Sequence, residues 1–274
     1  MSAPSSGLPA ARTPLVSVVI PMFEATAFIE DALASVAAQD HPAVEVIAVD
    51  DGSTDDSAAR ARAVARRLGL RLEVLHQPNQ GPAVARNLAL TRARGDYVTF
   101  LDADDRMAEG RLSFGVAHLQ AHPEVDGVIG THVNLTDPGI EPPEWLAKLP
   151  PPARSPHYLV LTVLARPELF ARVGGFDPAY AFAGEDTEWY LRAKTCGAVL
   201  DLVDRHMLWR RIHGANLTYQ IEDLDRALFR LLRDRARRAR DEAVAGTTVT
   251  ATSVTATSVT GPRVTGPTAE ADRP

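Results

Sequence analysis

From residue 15 onward, apolar and polar positions fall into a repeating alternation. Val16-Ser17-Val18-Val19-Ile20 is a short β-branched run stopped by Pro21, the pattern of a buried strand. Phe28, Ile29, Leu33 and Val36 then recur at helical spacing. Residues 44–49 predict a second strand, 58–68 a helix and 71–75 a third strand. Residues 81–91 predict a helix with Pro82 in its first turn, where the missing N–H costs little. Residues 97–101 complete the series as a fourth strand. Strands alternating with helices predict an α/β domain with a mostly parallel central sheet flanked by helices.

The second half is less periodic. Strands are expected over 126–130 and 158–165, a short helix over 167–173, a turn at Gly174-Gly175-Phe176-Asp177, a helix over 185–195, and strand-like stretches over 198–203 and 207–212. Residues 136–157 carry Pro138, Pro142, Pro143, Pro150, Pro151, Pro152 and Pro156, which predicts a long irregular loop of the kind often tied to function. Residues 222–240 read as an amphipathic helix with Leu224, Leu228, Leu231 and Leu232 on one face. From Gly246 the chain becomes a Thr, Val, Ser, Ala, Gly and Pro tract with too little large apolar surface to offset its ordering entropy. The expected organisation is therefore a flexible leader (1–14), one domain (15–245) and a disordered tail (246–274). Within the domain, 15–105 is the regular half, and 106–245 the less periodic half with the C-terminal helix.

Composition narrows the field. A net charge of −6 argues against general nucleic-acid binding, which shows a basic surplus. The lone Cys196 can form neither an internal disulfide nor a cysteine-based zinc site, which suits a reducing compartment. The N-terminus lacks a charged start followed by an apolar run, and no apolar stretch approaches the roughly 20 residues of a spanning helix. The expectation is a cytoplasmic protein with no transmembrane segment. The seven arginines of 222–240 leave open peripheral contact with the inner face of the membrane, although neighbouring acidic residues offset them. Asn134-Leu-Thr136 and Asn216-Leu-Thr218 match the glycosylation acceptor pattern, but without a secretory signal they read as accidental.

Three polar clusters each follow a predicted strand: Pro21-Met22-Phe23-Glu24, Asp50-Asp51-Gly52-Ser53 and Asp102-Ala103-Asp104-Asp105. Ligands of open α/β sheets bind at such carboxyl ends. A strand ending in Asp-x-Asp puts carboxylates where Mg²⁺ or Mn²⁺ can bind, and a diphosphate leaving group needs that charge neutralised. The same sequence also serves as a solvated acidic turn. Asp51 suits a base or ribose contact, and equally a turn with a helix cap. Arg86 is a candidate phosphate partner or a structural ion-pair residue. Glu185 and Asp186 sit at a predicted helix N-terminus, where negative charge is favoured anyway; functionally, one of them can act as a general base.

Taken together, these motifs resemble the family 2 glycosyltransferases of the GT-A fold. The matching pieces are Val16 to Phe23, Val49-Asp50-Asp51-Gly52-Ser53-Thr54-Asp55, Ala85-Arg86-Asn87, Gly95 to Asp105, and Gly174-Gly175-Phe176-Asp177 with Gly184-Glu185-Asp186, in order over about residues 15–195. The resemblance implies a metal-dependent, inverting, non-processive hexosyltransferase using a nucleotide-diphospho-sugar, with UDP favoured, and an acceptor it does not name. It makes 15–105 the nucleotide-binding half and 106–245 the acceptor half, and it assigns Pro21, Phe23 and Asp51 to the nucleoside, with Glu24 standing where many members have Asn. Asp104 becomes the main metal contact (Mn²⁺ or Mg²⁺), with Asp102 and Ala103 beside the donor, and Arg86 joins the donor site. Asp186 becomes the base, with Glu185 next to it, and Gly175 and Phe176 shape the acceptor side. His213 resembles a histidine that follows the last core strands in similar enzymes and is placed at the metal or diphosphate. The Gln-x-x-Arg-Trp pattern of processive synthases is absent.

Two other classes stay open. A catalytically inactive GT-A module would bind a nucleotide sugar or a partner protein, although the presence of both Asp104 and Asp186 argues against it. A sugar-phosphate nucleotidyltransferase would need a Gly-rich, basic loop after the first strand, and residues 21–24 have neither glycine nor a basic residue.

Overall fold

The computed structural model describes residues 12–141, 160–180 and 184–216, together with Arg233. The chain divides into one unit spanning Met1–Ala227, which holds every described residue except Arg233, and a second spanning Leu228–Pro274. The expected helix over 222–240 (Arg233 apart), the tail from 246, most of the leader and most of the 136–157 loop lie outside the described residues.

In chain order the strands are β1 (Val16–Met22), β2 (Val44–Asp50), β3 (Leu72–His76), β4 (Tyr97–Phe100), β5 (Arg106–Met107), β6 (Gly127–Thr136), β7 (Val163–Ala165) and β8 (Leu200–Ile212). The helices are α1 (Ile29–Ala37), α2 (Ser57–Leu68), α3 (Pro82–Leu90), α4 (Arg111–Ala121), α5 (Pro167–Val173) and α6 (Glu185–Thr195). All eight strands form one sheet in the order β3-β2-β1-β4-β7-β6-β8-β5. The first four run parallel. Next, β7 runs antiparallel to both β4 and β6, β8 parallel to β6, and β5 antiparallel to β8.

Every residue of β1 is buried, as the β-branched run requires of a central strand covered on both faces. The strand does not stop at Pro21: Pro21 pairs with Val49 and Met22 with Asp50. Leu101 donates its N–H to Val19 O, so the odd-numbered backbone groups of β1 face β4. Because β4 ends at Phe100, Pro21 lacks its N–H where no strand remains to receive one.

The second half departs further from expectation. The stretch read as one strand over 158–165 is, from residue 160, a 3₁₀ turn (Val160–Thr162) followed by the short β7. The two stretches read over 198–203 and 207–212 are one strand, β8, whose register against β6 shifts around Thr131. Such irregularities bend a strand and break its alternation, which is why the sequence divides there. Neither β5 nor α4 is announced by the sequence pattern. Leu112, Val116 and Leu119 have helical spacing, but Gly115 interrupts the helical signal. A Cβ on Gly115 would lie 3.2 Å from Leu164, so the glycine allows α4 to pack directly on β7.

Candidate active site

The three strand-end loops meet on one rim, as the parallel half dictates. They line a cleft of about 570 Å³ that includes Pro21, Phe23, Glu24, Asp51, Asp102, Ala103, Asp104 and His213. Phe23 is half exposed at its lip. Glu24 adopts φ +48°, a left-handed conformation that Asn tolerates better than Glu. Its Oε1 accepts hydrogen bonds from Thr54 N–H at 2.7 Å and Thr54 Oγ1 at 2.9 Å, so here Glu24 ties the first loop to the second.

Asp51 is buried and heavily engaged. Its Oδ1 accepts from Gln77 Nε2 at 2.7 Å and Gln80 N–H at 2.9 Å, and its Oδ2 from Gly81 N–H at 2.8 Å. Gly81 caps α3, so Asp51 places a negative charge at the positive end of that helix. Asp51 thus borders the cleft and holds the 77–81 loop at the start of α3, not the start of the helix that follows its own turn.

Arg86 is the hinge of the arrangement. Its side chain is 2% exposed on α3. One terminal nitrogen donates to Asp102 Oδ1 at 2.8 Å and the other to Glu185 Oε1 at 2.9 Å, with Asp186 Oδ1 3.7 Å away. A single buried guanidinium therefore joins the acidic loop after β4 to the acidic start of α6. Asp104 is thus linked to Asp186 through Asp102 and Arg86, although neither Asp186 nor Glu185 is among the residues lining the cleft. The surrounding carboxylates raise the Arg86 pKa against the opposing effect of burial.

The Asp186 carboxyl is pushed up to about 8, first by burial and then by the charge of Glu185, while Arg86 pulls it down. Its Oδ2 accepts a 3.3 Å bond from Val160 N–H, and its buried Oδ1 has no hydrogen-bond donor among the described residues. Close by, Asn87 donates to Phe176 O and accepts from Phe176 N–H, both at 2.7 Å, fastening the Gly174–Asp177 turn to α3.

Ligand oxygens of Asp102, Asp104 and Asp105 all lie within 4.8 Å of one another. This all-oxygen donor set fits a hard divalent cation. The charges act on each other accordingly. Burial raises the Asp102 carboxyl, Arg86 pulls it back and Asp104 raises it again, while Asp105 is lifted well above the usual carboxylate range by burial and then by Asp104 and Asp102. His213 Nε2 lies 3.0 Å from Asp104 Oδ2. Its Nδ1 faces the N–H of Ala215 at 3.3 Å and so must accept. That tautomer places the ring proton on Nε2, making His213 a donor to Asp104 in this state.

A model of glycosyl transferase family 2 matches residues 17–163, more than half of the chain. The chain belongs to that family. Among curated relatives, an uncharacterized glycosyltransferase of Haemophilus influenzae is 39% identical over 100 residues, 36% of this chain and 40% of that protein. The putative teichuronic acid biosynthesis glycosyltransferase TuaG of Bacillus subtilis is 45% identical over 100 residues, 36% of this chain and 39% of TuaG. The chain thus matches well under half the length of either relative. Residues 1–349 of Staphylococcus aureus TarS in complex with UDP superpose with a TM-score of 0.57 at 25% identity, covering 72% of this chain and 60% of that one. Among the described residues no helix is long and apolar enough to cross a membrane.

Three functional candidates of this family member escape sequence reasoning. Asp105 is buried and accepts the Arg211 N–H at 2.8 Å. Arg111, fully buried, donates to Thr99 Oγ1 at 2.5 Å and to Phe100 O at 3.2 Å beneath the end of β4. Burial brings its pKa down to about 9 against the opposing pull of Asp105. Asn216, which reads as part of an accidental acceptor triplet, is buried beside Asp104. The third carboxylate of Asp-x-Asp-Asp is the one available signal for Asp105; Arg111 and Asn216 carry no local mark.

Proposed function

We propose that this family 2 chain transfers a sugar from a nucleotide-diphosphate donor to a hydroxyl acceptor, non-processively and with inversion, in a metal-dependent reaction of enzyme class 2.4. The observation that carries the reading is the buried Arg86, which pairs with the Asp102 loop on one side and with Glu185 and Asp186 on the other.

In this reading Pro21 and Phe23 supply an apolar wall for the base, and Asp51 fixes the loop beneath the ribose. Asp104 and Asp102 hold Mn²⁺ or Mg²⁺. When bound, the cation neutralises the diphosphate and makes it a better leaving group. Small Ala103 leaves room for the donor between the two aspartates. Asp186 takes the proton of the acceptor hydroxyl as the acceptor oxygen bonds to the anomeric carbon. The bond from that carbon to the diphosphate breaks, and the nucleoside diphosphate departs with the electron pair. A general base works best with a pKa near the working pH, and Asp186 at about 8 meets that condition. Glu185 keeps Arg86 in place beside it. UDP is the favoured nucleotide, since the similar TarS structure holds UDP.

The test is a thermal-shift screen of the full chain with UDP, GDP, ADP, CDP and TDP, each with Mn²⁺, Mg²⁺ or chelator. A cation-dependent rise with one diphosphate, followed by cation-dependent release of that diphosphate from its sugar conjugates, is expected. No rise with any pair would remove the donor assignment.

A further inference from the structure

The turn after β8 ends in an asparagine that the proposed reaction leaves without a role. Asn216 has 7% of its surface exposed, and its side chain makes three hydrogen bonds. Its Oδ1 accepts from His213 N–H at 2.6 Å, reaching back across the turn. Its Nδ2 donates to Arg211 O at 3.0 Å and to Asp104 Oδ2 at 3.2 Å. His213 Nε2 meets the same carboxylate oxygen at 3.0 Å.

We infer that Asn216 is a positioning residue for the cation: with His213 it latches Asp104 Oδ2, leaving Oδ1 as the oxygen Asp104 offers. The inference rests on the metal-dependent reading above. Three features support it. First, a carboxylate in a cluster of three would rotate away from its neighbours unless held, and two N–H donors on one oxygen fix its plane. Second, both donors sit on one four-residue turn closed by Asn216 itself, so the latch moves as a unit. Third, Arg211, whose carbonyl Asn216 grips, donates its own N–H to Asp105 at 2.8 Å. The end of β8 thereby holds two of the three carboxylates. Groups that orient metal ligands in this way typically change metal affinity 10–100-fold when lost. Burial in this role also keeps the Asn216 side chain out of reach of modifying enzymes in the folded chain.

The experiment measures Mn²⁺ binding to the full chain by calorimetry, without nucleotide, together with thermal unfolding with and without Mn²⁺. Asn216→Ala should bind Mn²⁺ about tenfold more weakly. Asn216→Asp keeps the acceptor for His213 N–H but sets a carboxylate oxygen against Asp104. It should unfold at lower temperature without cation and gain more from Mn²⁺ than the wild type does. A purely structural asparagine would lower the melting temperature of Asn216→Ala without weakening its Mn²⁺ binding. Wild-type Mn²⁺ affinity in both variants, alongside its loss in Asp104→Ala, overturns the latch while leaving the metal reading intact. If Asn216→Ala does not fold, the Asn216→Asp result decides by the same criterion. No Mn²⁺ binding by the wild type overturns both readings.

Discussion

The half of the domain up to residue 105 and the half beyond it bring their charged groups together by different means. In the first, β1, β2 and β4 run parallel, and each delivers a functional loop immediately past its carboxyl end. In the second, β7 and β5 run antiparallel to their neighbours, β8 carries a register shift, and the contributing groups come from the start of α6 and the turn after β8. A parallel strand carries its loop to the rim by topology, and bonds such as Glu24–Thr54 then adjust it. A mixed, bent region needs individual side-chain bonds to aim its residues, so its site is more sensitive to single substitutions.

The largest expected effect joins the halves. Arg86→Met leaves Asp102, Glu185 and Asp186 without their buried cation and should cost about 3–5 kcal/mol in urea unfolding. A loss below about 1 kcal/mol would mean the two halves do not depend on this link.

Asp186→Asn comes next. Transfer should fall at least ~100-fold with donor affinity nearly unchanged, as read from kcat and nucleotide binding. Near-normal turnover would move the base elsewhere. The wild-type rate should climb with pH toward about 8, where Asp186 gives up its proton. Stability should run the other way. Between the ordinary 3.8 and about 8 the folded chain keeps a proton that the unfolded chain has lost, so folding weakens as pH rises through that window. The stability of Asp186→Asn relative to wild type should therefore increase from about pH 4 to about pH 8, and a constant difference would contradict the buried position of this carboxyl.

Gly175→Ala probes the Gly174–Asp177 turn more gently. Its Cβ would fall 2.3 Å from Asn87 Oδ1, which is already committed to Phe176 N–H. Roughly 1–3 kcal/mol of destabilisation is expected from this overpacking. A neutral result would show that the turn moves freely against α3.

The smallest effect belongs to the first half. Thr54→Val removes only the exposed hydroxyl bond to Glu24 and leaves the backbone N–H bond, so unfolding should change by no more than about 1 kcal/mol. A larger loss would show that the first half also depends on side-chain bonds to place its loops.

Much of this protein is legible in its sequence. The β-branched runs at β1 and β2 state their own burial, and the helix at Pro82 announces its start, because strand and helix patterns are local properties of adjacent residues. Asp51, Asp102 and Asp104 follow from these runs, since a parallel sheet places all strand-end loops on one rim. The pairing partners do not follow. Arg86 meets Glu185 across 99 positions, Arg211 meets Asp105 across 106, and Asn216 meets Asp104 across 112. No pattern in a short window encodes such separations; they arise when β8 returns beside β5 and α6, packed on α5, sets Glu185 against Arg86. Burial follows the same division. Asp105 reads as part of a solvated acidic turn and Asp186 as a charge at a helix start, and their raised carboxyls exist because packing removed the water around them. Local side-chain chemistry thus determined which elements form and which residues reach the rim, while long-range packing decided which charges meet there and in what protonation state.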